Sequence, residues 1–585
     1  MENTHKNLII AAIIIIGLVG ALALMVNNSH SSSDGPSYNA TLLSEKLTVN
    51  MSNWSYDKAN DIYYQMGLVY CMNPENDDYE ACGIYVPGKY FEATKNSNGK
   101  YTCALKTDGK VGNYTAAEAP IVIPVITPGY SACKAPTVYN ASKVNEYTDA
   151  GFIYLNPGCR GKDIGEAPDG VTDLKAAVTY YRFNGDVLPG NTEKIFTFGL
   201  SGGGAQSAIM GASGNSELYD PYMESIQAAM VDKNGNKLSN AIFGAMCWCP
   251  ITSFDTANAA YEWNMGQYTR NDSSFTGQLS SDLAREYPTY INELGLTDPN
   301  GRLLTLEESE TGIYASGSYY DYILSVTEES LNNFLNETKF PYTPPIEDET
   351  GNAQNGDAPS GGASSGGNSK DLASDSKTYK NAQEYIDSLN GNDSWIEYDA
   401  STNTAKIKSI EAFVKHCKKH TRSPPAFDNL NRSQIENELF GLNDHSLHFD
   451  KTVHSLLENN SDKYSKYSGY SKNYQTGYSK DLAKNDSENN SMETRVNMYN
   501  PMYYLSDYYD GAGSSDVAKY WRINTGIKQG DTSQCVDVNL YLAVSDRVGF
   551  DNVEFSTVWD EGHARAERIG SPTTNFINWV HNCLN

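Results

Sequence analysis

Two rhythms of apolar residues run along this chain. Short runs of β-favouring residues stand at 121–126, 151–155, 194–198 and 241–247, and again at 520–524 and 553–559. Segments of helical spacing lie among them at 172–182 and 537–544, and a closing one carries Phe576, Ile577 and Val580. Strands and helices in alternation predict a mostly parallel sheet covered by helices on both faces. Residues 42–109 read as short strands and turns, an antiparallel start to the same sheet. From 256 to 500 the sheet rhythm stops. Helical stretches at 323–335, 382–389 and 409–418 alternate there with polar segments. The stretch 348–377, rich in Gly, Ser, Asn and Asp, reads as a disordered loop. Residues 461–480 repeat Tyr, Ser and Lys and read as a mobile loop, ahead of an aromatic binding surface. The predicted division is a core at 41–255 and 501–585, interrupted by an inserted lid at 256–500, behind a leader and polar spacer at 1–40.

The leader holds an uninterrupted apolar run of 19 residues, 8–26. It is long enough to span a bilayer. It is also longer than a signal peptide needs, which favours an uncleaved anchor over cleavage near Ala21-Leu22-Ala23. On either reading the body is expected outside the cytoplasm, membrane-anchored or secreted. The net charge of −28, from 72 acidic and 44 basic residues, argues against nucleic acid and anionic membrane surfaces as partners. Membrane contact is then left to the leader. The ten cysteines all follow residue 70, and an oxidising compartment permits disulfides. Cys71 and Cys82 bracket a turn-like segment and are the expected local pair. Cys247 and Cys249 flank Trp248 on a buried run and are expected to pack as small apolar residues.

The chemistry centres on 194–210. An apolar strand pattern runs into Gly199-Leu200-Ser201-Gly202-Gly203, and small helix-compatible residues follow. G-x-S-x-G between a strand and a helix is the nucleophile turn of α/β hydrolases. The glycines remove side chains that would collide in the turn, and the helix directs its amide dipoles at the serine. A phosphate loop is disfavoured, since no Lys-Ser/Thr follows the glycines. An oxyanion hole needs two backbone amides. One belongs to Gly202; the other is expected in the loop after the first parallel strand, at Gly129 or Tyr130.

In this fold the partners follow in the order Ser, acid, His. Of nine histidines only His563 and His581 come after the late strands, and His563 sits on the turn after the last one. His563 is therefore the expected base. The acid belongs just after the 520–524 strand. Gln529 holds the usual place and Asp531 follows two residues later, so Asp531 is the expected acid, with helix capping as its alternative role. His416 and His420 have a spacing that can hold a metal, but no Glu follows His416, and a solvated basic helix face fits better. No metal or cofactor is expected.

Taken together, Arg160-Gly161, Thr172-Asp173-Leu174-Lys175-Ala176-Ala177, the serine turn, Ala260-Tyr261-Glu262-Trp263 and Trp521-Arg522-Ile523 resemble the bacterial tannases and tannase-like esterases. The resemblance implies an α/β-hydrolase core with a large inserted lid. It also implies a Ser-Asp-His triad that cleaves aromatic acyl esters. Ser201 and His563 fall on the family's nucleophile and base. Its usual Asp-x-Asp-Thr-Ser stretch reads Gln529-Gly530-Asp531-Thr532-Ser533 here. In the family the first Asp is the acid and the second touches substrate, so Asp531 either has taken over the acid's role or stays with the substrate. Arg422 and Glu436 occupy places similar to the basic residue and the Glu that hold the phenolic ring.

The leading expectation is a serine esterase acting on a small aromatic ester, of galloyl or hydroxycinnamoyl type. A non-catalytic binding protein of the same fold is the alternative, with Gln529 as its support. A serine peptidase ranks last, because no propeller repeat precedes the core.

Overall fold

The computed structural model describes residues 45–270, 273–344, 377–418, 420–442 and 445–585. The leader run 8–26 and all but the last residue of the 348–377 stretch lie outside the described residues. Among those described, no helix is long and apolar enough to cross a membrane.

Nine strands form one sheet. They are β1 (Ser55–Asp57), β2 (Ile62–Val69), β3 (Ala81–Pro87), β4 (Ile121–Val125), β5 (Ile153–Pro157), β6 (Ile195–Leu200), β7 (Gly244–Trp248), β8 (Tyr520–Gly526) and β9 (Val553–Val558). Their spatial order is β1-β2-β3-β5-β4-β6-β7-β8-β9. The six strands β5, β4, β6, β7, β8 and β9 run parallel, and β1 to β3 enter antiparallel. Every residue of β4 and β7 is buried, as continuous apolar runs in a sheet covered on both faces should be. The helices α1 (Asp169–Phe183), α2 (Gly202–Ala212), α3 (Gln534–Val548) and α4 (Pro572–Leu584) follow β5, β6, β8 and β9 in turn. The α/β core pattern therefore agrees with the strand and helix runs read from the sequence.

The segment between β7 and β8 departs from the expectation at two points. It contains a hairpin, Ile396–Asp399 against Thr404–Ile407, where no strands were expected. The signal was short: Ile396, Ala405 and Ile407 alternate inward over only four residues a strand. And residues 461–480 are not a loop. They hold the helices Ser461–Tyr464 and Lys472–Leu482, whose Tyr464 and Tyr478 are buried against Phe275, Leu279, Leu283, Val453 and Leu457. Tyrosine carries large apolar area behind a polar tip, so a count of polar letters missed a small core. The Tyr464 hydroxyl finds Asp282 at 2.7 Å.

The inserted segment packs into the main core as well. Leu331 and Phe413 lie in the same apolar cluster as Trp521 and Ile523. The Ser330 hydroxyl donates to the Thr557 carbonyl on β9 at 2.8 Å, and Trp559 Nε1 donates to the Tyr385 hydroxyl at 2.9 Å. Cys71 and Cys82, the expected disulfide, are separate buried thiols. In the β2–β3 register Cys82 faces Leu68, while Cys71 lies past the strand end and bridges to Ala228, so the two never stand opposite.

One buried cation holds the loop after β5. Arg160 is 2% exposed and gives its backbone N–H, Nε and Nη2 to the Asp173 carboxylate on α1, at 2.7, 3.1 and 2.8 Å. Next to it Gly161 lies so close to the loop after β4 that an added methyl would stand 2.4 Å from the Tyr130 carbonyl oxygen and the Ala132 nitrogen. Removing Asp173 takes the partner of Nε and Nη2 from a buried guanidinium and leaves it only the contacts of Nη1 with Glu75 at 2.8 Å and Asp169 at 3.6 Å, and that of Nε with Glu80 at 4.0 Å. Asp173→Ala should cost about 3–5 kcal/mol and lower the denaturant midpoint clearly. Asp78→Ala, which breaks an exposed pair with Lys134, should cost at most about 1 kcal/mol. Equal midpoint shifts in the two variants would contradict this account.

Candidate active site

Ser201 stands between the last residue of β6 and the first of α2, with φ 61° and ψ −121°. Such a backbone is unfavourable for a residue with a Cβ and persists only where its surroundings fix it. Its N–H donates to the Trp248 carbonyl at the end of β7, and its own carbonyl accepts from Ala205, at 3.0 and 2.8 Å. Close approach explains the glycines. A methyl added at Gly203 would stand 2.2 Å from the Val125 carbonyl oxygen, and one at Gly204 2.5 Å from that of Trp248.

The loop after β4 meets the serine turn at Gly202, where an added methyl would come within 2.7 Å of the Tyr130 nitrogen and 2.5 Å of the Thr127 carbonyl oxygen. So Gly202 and Tyr130 are brought together as expected. Gly202 opens α2, and its N–H lacks an intrahelical partner. The Tyr130 N–H already donates to the Thr127 carbonyl at 3.0 Å inside a tight turn. The Tyr130 side chain is anchored, its hydroxyl donating to the Ile251 carbonyl at 2.5 Å. Gly129 adopts φ 54° in the same turn.

His563 follows β9, and its Nδ1 lies 2.7 Å from Gln529 Oε1. Asp531 Oδ2 is 3.8 Å from the same nitrogen. The orienting hydrogen bond expected from Asp531 is thus made by Gln529, with the Asp531 charge one shell further out. The reason is chain geometry: Gln529 is buried in the turn after β8, while Asp531, two residues on, is part-exposed at the lip. Gln529 Nε2 donates to the Thr525 hydroxyl. Burial holds the His563 imidazole below its ordinary 6.5; the Asp531 carboxylate opposes this and the Arg422 cation reinforces it.

Arg422 and Glu436 also come to this place: the Arg422 N–H lies 3.4 Å from the Tyr261 hydroxyl that binds the Gly530 carbonyl, and Ile435, next to Glu436, would meet a methyl added at Gly129 at 3.4 Å. Both are buried, and they bind each other, Arg422 Nη1 donating to Glu436 Oε2 at 2.8 Å. The guanidinium lies 4.4 Å from the centre of the Phe427 ring. Among the described residues Glu436 Oε1 has no hydrogen-bond partner. His416 is engaged elsewhere, with Asp393 at 3.0 Å, and its helix ends at Cys417, so His420 does not share its face.

A profile of the BD-FAE family, an α/β-hydrolase esterase family, matches residues 111–278. The crystal structure of the Fusobacterium nucleatum tannase superposes with a TM-score of 0.65 at 26% identity, covering 92% of this chain and 99% of that one. The fold is the α/β-hydrolase fold of the tannases. The tannin acyl hydrolase of Lactobacillus plantarum superposes with a TM-score of 0.63 at 22% identity over 93% of this chain and 100% of that one. A tannin acyl hydrolase in complex with ethyl gallate gives 0.64 at 22% identity, over the same shares. No curated protein matches the chain by sequence. The tannase and BD-FAE likenesses support a carboxylic ester hydrolase.

Two residues of this hydrolase fold escaped the sequence reading. Cys249, expected only to pack, has φ 43°; its Sγ accepts from the Gly526 N–H at 3.5 Å and lies 3.2 Å from the Ala564 carbonyl. It ties the turn that carries Gln529 to the loop that carries His563. The Tyr261 hydroxyl donates to the Gly530 carbonyl at 2.8 Å and accepts from the Thr421 N–H at 3.0 Å. It lay within the Ala-Tyr-Glu-Trp motif, but nothing in that motif points to a partner 269 residues away.

In the role of base expected from the sequence, His563 would have to be neutral to accept a proton, and its depressed pKa keeps it neutral to lower pH. The acid limb of kcat/KM on an aryl ester should therefore have its midpoint below pH 6.5. Asp531→Asn removes the charge that raises this pKa and should move the limb to still lower pH, whereas Gln529→Ala should lower kcat without that movement. A limb that stays in place in Asp531→Asn contradicts the assignment of Asp531 as the outer charge.

Proposed function

We propose that the chain is a serine esterase of tannase type, cleaving aryl or plant phenolic esters of galloyl or hydroxycinnamoyl kind through an acyl-enzyme. The observation that carries the reading is Ser201 at φ 61°, hydrogen-bonded to the end of the neighbouring strand, on a sheet whose later strand ends carry Gln529 and His563. With Nδ1–H donated to Gln529, the lone pair of His563 sits on Nε2, the nitrogen left to take the Ser201 proton. Ser201 Oγ attacks the ester carbonyl. The oxyanion is met by the Gly202 N–H, with a second donor from the Gly129–Tyr130 turn. His563 passes its proton to the leaving alcohol, then activates the water that releases the acid. Gln529 orients the imidazole, and Asp531 at 3.8 Å stabilises it once charged.

For the acyl group, a ring hydroxyl can donate to the unpartnered Glu436 Oε1, and a neighbouring one can accept from the remaining Arg422 N–H groups. The inserted segment that supplies both residues acts as the lid that sets specificity. We place the enzyme outside the cytoplasm, anchored or secreted, on the support of the 8–26 run.

A fluorophosphonate probe should label the wild type and not Ser201→Ala. Absence of labelling would favour a binding protein of the same fold. Ser201→Ala and His563→Ala should each lose at least about two to three orders of magnitude of hydrolysis, because the group acts as a unit. Specificity is read as kcat/KM for a trihydroxybenzoyl ester over its benzoyl analogue. Glu436→Gln and Arg422→Ala should each lower that ratio by the equivalent of roughly 1–3 kcal/mol, about 5- to 150-fold. An unchanged ratio in both means that the pair does not read the ring.

A further inference from the structure

The loop after β4 and the loop after β5 lie side by side as a short antiparallel ribbon. The first runs from the Tyr130 turn through Cys133; the second carries Cys159 and Arg160. The Lys162 N–H donates to the Tyr130 carbonyl at 2.9 Å. Cys133 and Cys159 form an antiparallel bridge and exchange both backbone hydrogen bonds, each N–H reaching the other's carbonyl at 2.9 Å. Residues that exchange both bonds stand directly opposite, with Cα atoms about 5.5 Å apart. Their side chains share one face of the ribbon. A disulfide spans Cα separations of about 4.4–6.8 Å. The two thiols therefore meet the requirement that Cys71 and Cys82 fail. Among the described residues no other cysteine stands opposite a cysteine in a bridge or a strand register. The pair differs in access: Cys159 is 1% exposed, whereas Cys133 is part-exposed. The polar contact of Cys133 Sγ is the carbonyl of its own neighbour Lys134, at 3.6 Å, so the thiol is not committed to a distant partner.

We propose that Cys133 and Cys159 are a disulfide site, closed by exchange with a small-molecule disulfide, that staples the loop after β4 to the loop after β5. Cys133, the accessible thiol, reacts first. Its thiolate attacks one sulfur of the small disulfide and expels one small thiolate, which leaves a mixed disulfide. Cys159 then gives up its proton and attacks Cys133 Sγ, and the second small thiolate departs. The protons of the two protein thiols end on the two departing thiolates. The protein pair is oxidised by two electrons, and the small disulfide is reduced to two thiols. Oxidants of this class belong to the compartments in which disulfides persist. Partial burial pushes the Cys133 thiol up to about 11, so the exchange runs through a small thiolate fraction. The bond joins two stretches that are already held. Arg160, next to Cys159, is fixed on Asp173, and Tyr130, three residues before Cys133, is tied through its hydroxyl to Ile251. In the unfolded chain the same bond would close residues 133–159 into a loop, and that constraint favours the folded state. The staple braces the wall beside the serine turn and stands whatever the serine does.

The test treats the full chain with oxidised glutathione at about pH 8.5, where more of the thiol is ionised. The protein is then unfolded, its remaining thiols are alkylated, and the digest is mapped by mass spectrometry. A Cys133–Cys159 linked pair of peptides is expected, separated by dithiothreitol. The apparent thermal midpoint of the oxidised wild type should fall by at least about 2 °C on reduction. Cys133→Ser should show neither the linked pair nor that fall, and Cys159→Ala serves if Cys133→Ser does not fold. Full alkylation of both cysteines after the oxidant would overturn the proposal, as would a glutathione adduct on Cys133 that never passes to Cys159. A linked pair whose reduction leaves the midpoint in place would overturn its role as a staple. None of these readouts uses hydrolysis, so the outcome is separate from that of the esterase reading.

Discussion

The structure depends on one enforced close approach, that of the N-terminus of α2 to the carboxyl ends of β4, β6 and β7. The Val125, Thr127 and Trp248 carbonyls all stand within 2.5 Å of where a Cβ would be on one of the three glycines after Ser201. No side chain fits there, so the helix is drawn into the sheet end and the serine backbone is forced to φ 61°. The loop after β4 and the loops after β7, β8 and β9 then stack around one point. Arg160, buried on Asp173, holds the outer wall of that arrangement by fixing the strand of backbone against which the Tyr130 turn rests.

The core was legible because its central strands β4 and β7 are fully buried and so spell continuous apolar runs, and because the serine turn needs a sequence that few other structures need. Ser201, Gly202 and His563 follow from strand order alone. The partner of His563 did not. Gln529 and Asp531 are two residues apart, and which reaches Nδ1 depends on the turn after β8, which no periodicity describes. Cys249 and Tyr261 were hidden for another reason. Their work is done by single atoms that bind backbone hundreds of residues away in sequence, and such contacts leave no local pattern. The tyrosines of 461–480 misled in the opposite direction, looking like surface and forming a core.

Most triads ask one carboxylate both to orient the imidazole and to balance its charge. On the proposed mechanism the two duties fall on two side chains, Gln529 in hydrogen-bond contact with His563 and Asp531 at 3.8 Å. A neutral acceptor costs less to bury than an ion, which suits the desolvated turn that Gln529 occupies, and leaves the charge where water can still reach it. Orientation and charge then become separately adjustable.

The Tyr261 hydroxyl joins the inserted segment at Thr421 to the Gly530 carbonyl, midway between Gln529 and Asp531. Arg422 is the next residue along that segment, and its backbone N–H faces the same oxygen at 3.4 Å. The Tyr261 phenol and the Thr421 hydroxyl, which donates to the same Gly530 carbonyl at 2.9 Å, together join the part of the molecule that would grip an acyl ring to the part that would ready the base. On the proposed function, a ligand that shifted Arg422 would pull on these contacts and so on the turn that carries Gln529. Both hydroxyls converge on the one Gly530 carbonyl, so recognition and activation, on the proposed function, would share a linkage one acceptor atom wide.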